Sequence, residues 1–271
     1  ISPANARFLD EIGAWRHLDA TRMEAVQAME VHGDAGGRLD FTAYGSGVSE
    51  LAWILESSLM QRELWETAKR QGNLTLLCPA RPHALTFAAD AAQLTLDDGR
   101  CLSARLVVAA DGADSWTRAA AGIAVRFDPY DQQGVVANFA VERPHRGTAF
   151  QWFRDDGVLA WLPLPGNRMS MVWSAPEDHG RALLALDPGA LCNRVAEAGG
   201  RRLGALDLVT PAAGFPLRLM RAPSAVAPRL ALIGDAAHTI HPLSGHGINL
   251  GFRDAQVLAS LLCDKPGHID C

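Results

Sequence analysis

Twice in this 271-residue chain a short apolar run stops on an acidic residue beside a glycine: "ARLVVAADGADSWTR" reaches Asp111-Gly112, and "LALIGDAAHTIHPLSGHGINLGFRDAQ" reaches Gly234-Asp235. A continuous apolar run of this length reads as a strand buried on both faces, and open α/β sheets bind ligands beyond the carboxyl ends of such strands. The pattern predicts two strands that each deliver a carboxylate to a loop. After the second corner, Pro242, Gly245 and Gly247 build a tight turn into a helix whose Leu250, Val257, Leu258 and Leu261 are expected to form a core face. The start of that helix would aim free N–H groups and a positive dipole end at whatever lies over the loop. The glycine-rich turn by itself fits a surface turn with Asp235 as a helix cap equally well; its repetition at Asp111 favours a ligand site.

The rest of the chain reads as helix at both ends around a sheet-rich middle. Ser2 and Pro3 mark the start of a helix over "SPANARFLDEIGAW". "LDFTAY" and "LAWILE" read as strands, and Ser58 with Gln61 suggests a capping box for a second helix that stops at Gly72. "LTLLC", "ALTFA", "QLTLDDGR" and "CLSARLVVAADGA" read as strands, with Asp98-Gly99 as a hairpin turn and the last run as a central, buried strand. Further strands are expected over "GVVANFAVE", "TAFQWF", "GVLAWLPLP" and "RMSMVWS", where Trp152, Trp161 and Trp173 are read as core, and a helix over "PGALCNRVAEAG".

Composition excludes several classes of function. A net charge of -5 gives no footprint for nucleic acid. No apolar run approaches the ~18 to 20 residues of a membrane span, so a soluble, cytoplasmic protein is expected. The five cysteines (Cys78, Cys101, Cys192, Cys263, Cys271) are scattered and never in CxxC spacing, which argues against a disulfide framework or zinc cluster. His238 and His241 offer two metal ligands at most, and no metal is expected. Ile1 is not a start methionine and "CDKPGHIDC" stops just after a helix, so the chain reads as a piece of a longer one.

Together, "ADGADSWTR" and "LIGDAAHTIHPLSGHGINLGFRDA" resemble the DG and GD motifs of the FAD-dependent aromatic hydroxylases of the para-hydroxybenzoate hydroxylase fold. The long match "GDAAHTIHPLSGHGINLG", with "ISPANARFLDEIGAW" and the "FPL" of residues 215–217, is most similar to the ubiquinone-biosynthesis hydroxylases within that superfamily. Two departures are His246, where glutamine is common, and Ser244, where alanine is common; backbone contacts should survive both. The resemblance implies that Asp235, beside Gly234, bonds the FAD ribitol and that Asp111 with Gly112 supports the pyrophosphate region and the approach of NAD(P)H. It further implies that Pro242, Gly245, Gly247 and Asn249 line the isoalloxazine side. Arg62 aligns with a cofactor-contacting position, beside the reading of a solvated arginine. It identifies no catalytic residue.

Members of this superfamily open with a strand and a GxGxxG turn for the FAD pyrophosphate, and the match here begins after that unit. The implied fold is α/β with mixed α+β character: an incomplete Rossmann-like FAD-binding domain (1–22, 55–124 and 228–271) interleaved with a sheet-rich substrate domain (23–54 and 125–227). The implied cofactor is FAD, with its retention by the shortened chain left open, and NAD(P)H is the co-substrate. The implied activity is hydroxylation of the ring of a polyprenylated phenol in ubiquinone biosynthesis, the hydrophobic phenolic substrate lying in the sheet-rich middle. Two other readings stand: a non-catalytic scaffold for quinone precursors or partner proteins, and an FAD hydroxylase of another aromatic compound. The lipid-like substrate allows peripheral association with the inner membrane or with a biosynthetic complex.

Overall fold

A serine followed by a proline fixes where the chain first becomes helical. In the computed structural model, which describes residues 1–264, the Ser2 hydroxyl accepts the Asn5 N–H at 3.3 Å and starts helix α1 (Pro3–Glu11). Strands β1 (Met23–Val26), β2 (Ala28–His32), β3 (Arg38–Thr42) and β4 (Ala52–Leu55) lead to α2 (Ser57–Lys69). Next come β5 (Pro82–Phe87), β6 (Ala92–Leu96), β7 (Cys101–Ala104), β8 (Val107–Ala109) and the short α3 (Trp116–Ala120). The middle holds β9 (Arg126–Val141), β10 (Thr148–Arg154), β11 (Gly157–Leu164), β12 (Arg168–Pro176), α4 (Glu177–Leu184) and α5 (Pro188–Ala198). Strands β13 (Leu206–Leu208), β14 (Ala213–Arg221), β15 (Val226–Ala227), β16 (Leu230–Leu232) and β17 (His238–Thr239) precede α6 (Gly247–Asp264). Residues 265–271, with the end of the expected 228–271 segment and Cys271, lie outside the described residues, as does the side chain of Ser244.

The chain divides into two compact units, one of residues 1–67 and 129–217 and one of residues 68–128 and 218 onward. In the first unit the strand order is β14-β9-β12-β11-β10-β2-β3, with β13 also on β9. Neighbours β9, β12, β11 and β10 are antiparallel, whereas β10 and β2 are parallel. Because successive strand residues face opposite sides, the alternation in "GVVANFAV", "GVLAWLPL" and "RMSMVWS" sends one set of side chains to a common face. Val135, Ala137, Phe139, Leu159, Trp161, Met169, Met171 and Trp173 are all buried, in one cluster with Leu183 of α4 and Leu191 and Val195 of α5. The register puts Trp161 opposite Phe150 on one side and Met171 on the other, so large and flexible apolar groups interdigitate along that face.

The division of the chain differs from the expected lines in placing residues 1–22 and 55–67 with the first unit. The reason is local pairing. Trp53 donates its N–H to the Ile1 carbonyl at 2.8 Å, the Trp15 and Trp53 rings meet edge to face at 5.8 Å, β1 pairs with β4, and Arg22 bonds Glu56 at 2.5 Å. The "LTLLC" stretch is irregular chain instead of a strand; Leu74 and Leu76 are exposed, so it has no buried face to pair for. Helix α4 is absent from the sequence reading because Gly180 interrupts it. A Cβ there would lie 2.7 Å from Gln133 Oε1, so close packing against that side chain is what Gly180 permits.

A tighter contact yields a test of this core. A Cβ on Gly199 would sit 2.2 Å from the buried Trp161 ring, and an indole packed on all sides cannot give way. Gly199→Ala is expected to destabilise the protein by about 1 to 3 kcal/mol through overpacking, read as a lower midpoint in urea unfolding followed by tryptophan fluorescence.

Candidate functional site

The two acidic corners lie in the second unit, and one strand pairing brings them together. Strands β8 and β16 are parallel neighbours, with Leu230 opposite Val107, Ala231 opposite Val108 and Leu232 opposite Ala109. The Ile233 N–H continues the ladder to the Ala109 carbonyl at 3.0 Å. Two parallel strands in this register end side by side, so Asp111-Gly112 and Gly234-Asp235 leave the same end of one sheet. Leu230, Leu232, Ala109, Ala236 and Ala237 are buried together beneath the corners.

The two carboxylates are used differently. Asp111 Oδ1 accepts the Ser115 hydroxyl at 2.5 Å and Oδ2 accepts the Thr117 N–H at 2.9 Å. Ser115 in turn caps α3, its hydroxyl accepting the Arg118 N–H at 2.9 Å. Burial works against ionisation of Asp111, but these hydrogen bonds together outweigh it and hold the carboxyl below its usual range. Gly112 has φ +84° and open space around it, so the backbone conformation is what asks for glycine. Asp235 is the opposite case: it is exposed, and its carboxylate has no hydrogen-bond partner among the described residues.

The turn that presents Asp235 is held at four points. Gly234 N–H donates to Asp254 Oδ2 at 2.9 Å, and the Gly234 carbonyl accepts the Ala237 N–H at 2.9 Å. The Ala236 carbonyl accepts from Arg118 Nη1 at 2.9 Å, and the Ala237 carbonyl accepts the Ala222 N–H at 2.8 Å. Arg118 is buried and also donates Nη2 to the Ala113 carbonyl at 2.8 Å, so one guanidinium ties the two corners to each other. Neither Arg118 nor Asp254 was singled out by the sequence reading. Both stand inside the matched motifs, as the last residue of "ADGADSWTR" and the Asp of "GFRDA", and charged residues within otherwise apolar helices were the available signal.

Beyond the corner, Pro242 opens a single 3-10 turn, and Gly245 closes it in the left-handed region at φ 60°. The Gly245 carbonyl accepts from Asn249 Nδ2 at 2.9 Å, and α6 then begins at Gly247. Gly247 has no left-handed φ, and a Cβ built on it would meet nothing within 4 Å. The backbone and the packing of this chain therefore do not require glycine there, and the space above it is open to a flat ligand. Burial holds the His241 ring below the ordinary imidazole range, its Nδ1 accepting the Leu243 N–H at 3.2 Å, while His238 Nε2 lies 2.8 Å from Asp254.

Three expectations need correction or placing. The proposed core face of α6 is not one: no described residue of this helix is buried, and Val257 and Leu261 are about half exposed. What α6 packs on the corner is Gly251, whose Cβ would meet the Gly234 Cα at 3.3 Å, and Asp254 three residues on along the same helix face. Strand β8 is not central either; it ends the three-stranded order β15-β16-β8, with Val108 exposed. Arg62 belongs to the first unit, exposed on α2, and Asp19 is held ionised chiefly by its hydrogen bonds from Thr21, then by the charges of Arg22 and, least, Arg62.

The residues present fit a flavin: a free carboxylate on a rigid turn, open space over Gly247, and the start of an 18-residue helix beside both. The family described as "FAD binding domain" matches residues 4–265. The chain is 38% identical over 264 residues to the ubiquinone hydroxylase UbiL of Rhodospirillum rubrum, covering 97% of this chain and 61% of that protein. It is 35% identical over 270 residues to the 3-demethoxyubiquinol 3-hydroxylase of Escherichia coli, covering 99% of this chain and 68% of that one. It thus spans about three fifths to two thirds of the curated relatives it matches. Among solved structures, PqsL of P. aeruginosa in complex with 2-aminobenzoylacetate superposes over the whole chain and 77% of its own, with a TM-score of 0.85 at 25% identity.

Two outcomes follow from this geometry. Because the folded-state pKa of Asp111 is depressed, its contribution is fully present above the unfolded value near ~3.9 and lost as pH falls through the lowered folded value. Asp111→Asn, which turns a charged acceptor of two hydrogen bonds into a neutral one, is therefore expected to cost about 0.5 to 2 kcal/mol at neutral pH, with the difference from wild type closing only under acid, as measured by urea titrations from pH 7 to 3. Arg118→Met leaves two backbone carbonyls without their donor and is expected to lower stability by about 1.5 to 3 kcal/mol, in the same unfolding assay.

Proposed function

The chain belongs to the FAD-binding-domain family, and from that membership we propose that it acts as a flavin-dependent monooxygenase hydroxylating the ring of a polyprenylated phenol in ubiquinone biosynthesis, with NAD(P)H and O2 as co-substrates. Bound FAD supplies the redox chemistry. The chain's own residues bind and orient. Asp235 offers an unshared carboxylate to the ribitol hydroxyls, on a turn whose backbone atoms are already engaged, so binding costs little reorganisation. Asp111 has both oxygens engaged with Ser115 and Thr117, so its part is to shape the Gly112 turn. The amides opening α6 favour a nearby anion by ~0.3 to 2 kcal/mol. At ~1.4 kcal/mol per 30 mV for a two-electron couple, that raises the potential of an adjacent redox group by tens of millivolts at most.

The single observation that carries this reading is the parallel pairing of β8 with β16, which sets the two acid–glycine corners at one sheet end. The choice of a ubiquinone precursor rests on the names of the two bacterial relatives, one a ubiquinone hydroxylase and the other a 3-demethoxyubiquinol 3-hydroxylase. Among the described residues no helix is long and apolar enough to cross a membrane. A cytoplasmic enzyme meeting its lipid-like substrate at the inner-membrane surface, or within a biosynthetic complex, fits both facts.

The protein is expected to bind FAD with an absorbance band near ~450 nm and to oxidise NAD(P)H faster when a prenylated phenol is added. Asp235→Ala is expected to weaken FAD binding about tenfold or more, the value of a charge-assisted hydrogen bond, read by quenching of flavin fluorescence. Stimulation by a non-prenylated aromatic acid in place of the prenylated phenol would assign the site to another substrate class. Absence of any flavin binding would overturn the reading.

A further inference from the structure

One oxygen of Asp254 receives two donors. Its Oδ2 accepts the Gly234 N–H at 2.9 Å and lies 2.8 Å from His238 Nε2, and both donors flank Asp235. Gly234 has φ +58°, a conformation glycine reaches freely but does not prefer, so something must hold it there. Two of the four anchors are neutral backbone pairs and a third is the Arg118 guanidinium of α3; the anchor at the Gly234 amide is the one supplied by α6. On that helix the contact is built by two residues three apart. Gly251 lets the backbones close to 3.3 Å for a built Cβ, and Asp254 reaches across the gap this leaves. His238 stands on β17, whose partner residues are Met220 and Arg221, so its ring fixes the rotamer of the carboxylate from a paired strand.

We propose that Asp254, oriented by His238, is a positioning residue for the flavin site: it sets the Gly234-Asp235 peptide so that the Asp235 carboxylate points into solvent where the ribitol binds. The proposal rests on the flavin reading given above. It separates two acids that sequence alone would group together, since Asp235 touches the ligand and Asp254 acts only through the turn. A carboxylate bridging two donors is a stronger clamp than either hydrogen bond alone. Asparagine keeps the accepting oxygen and the shape, so the two substitutions Asp254→Ala and Asp254→Asn divide the hydrogen-bond role from mere occupancy of the helix face.

The test uses the full chain with Asp254→Ala, Asp254→Asn and His238→Ala, followed by hydrogen–deuterium exchange over residues 230–240 and by FAD titration. Asp254→Ala is expected to speed exchange at the turn and to weaken FAD binding, each about tenfold or more, as for losing a hydrogen bond to a charged acceptor. Asp254→Asn is expected to restore both to within about threefold of wild type, and His238→Ala to fall between, since the carboxylate then loses one of its two donors. Wild-type exchange and affinity in Asp254→Ala would overturn the proposal, as would Asp254→Asn behaving like Asp254→Ala. Faster exchange spread evenly through the strands of the first unit would also overturn it, because that marks general loss of stability. If the wild-type chain binds no FAD, the flavin reading fails by itself, and faster local exchange in Asp254→Ala still upholds the clamp while unchanged exchange sinks it.

Discussion

The functional reading depends on three residue pairs, Leu230 with Val107, Ala231 with Val108 and Leu232 with Ala109. Parallel strands must arrive by a crossover, and here more than a hundred residues separate the two members of the pair. A register slip of one residue would exchange the faces taken by Ala231 and by the two larger side chains Leu230 and Leu232, all of them buried, and move Gly234-Asp235 out of level with Asp111-Gly112. The register is pinned at both ends by buried arginines. At the entrance, Arg229 donates to the Arg105 carbonyl at 3.1 Å and the Ala89 carbonyl at 3.0 Å, while its own carbonyl accepts the Val107 N–H at 2.9 Å. At the exit, Arg118 spans the Ala113 and Ala236 carbonyls. A buried guanidinium is tolerated only when its N–H groups are bonded, so each arginine selects the register that supplies its carbonyls.

Two corners that look alike in sequence carry opposite duties. At the first, the carboxylate turns back onto its own chain and is consumed by Ser115 and Thr117, building a five-residue helix whose arginine then reaches the second corner. At the second, the backbone is held by its neighbours and the carboxylate is left free. The stability of the site is thus concentrated at Asp111 and Arg118, and its display at Asp235. A rigid frame that leaves one acceptor unsatisfied is what a ligand site needs, because the ordering of the protein is done before the ligand arrives.

What the sequence made legible was local. Ser2 with Pro3, the Asp98-Gly99 turn and the period-two runs of β9 to β12 each depend on residues a few positions apart, and the structure has them. Buried Trp161 and Trp173 follow from the same alternation. What was not legible depends on distant partners: β10 pairing in parallel with β2, Arg118 reaching a carbonyl 118 residues away, and Asp254 bonding the Gly234 amide. The misread face of α6 has the same origin. Leucine spacing suggested an apolar seam, but the side that meets the corner is chosen by which residues let two backbones approach, and those are Gly251 and Asp254.

The four glycines of residues 230–256 therefore have separate causes. Gly234 and Gly245 hold left-handed φ values of 58° and 60°, where a side chain is strained whatever the space. Gly251 is small because Gly234 lies against it, a demand made by the protein's own backbone. Gly247 meets neither condition: its φ is ordinary and its surroundings are empty. Neither the conformation nor the packing of the chain thus asks for glycine at this first residue of α6. A planar ring system lying close over the first turn of α6 would ask for it, since it could approach the amides there most closely where no Cβ intervenes.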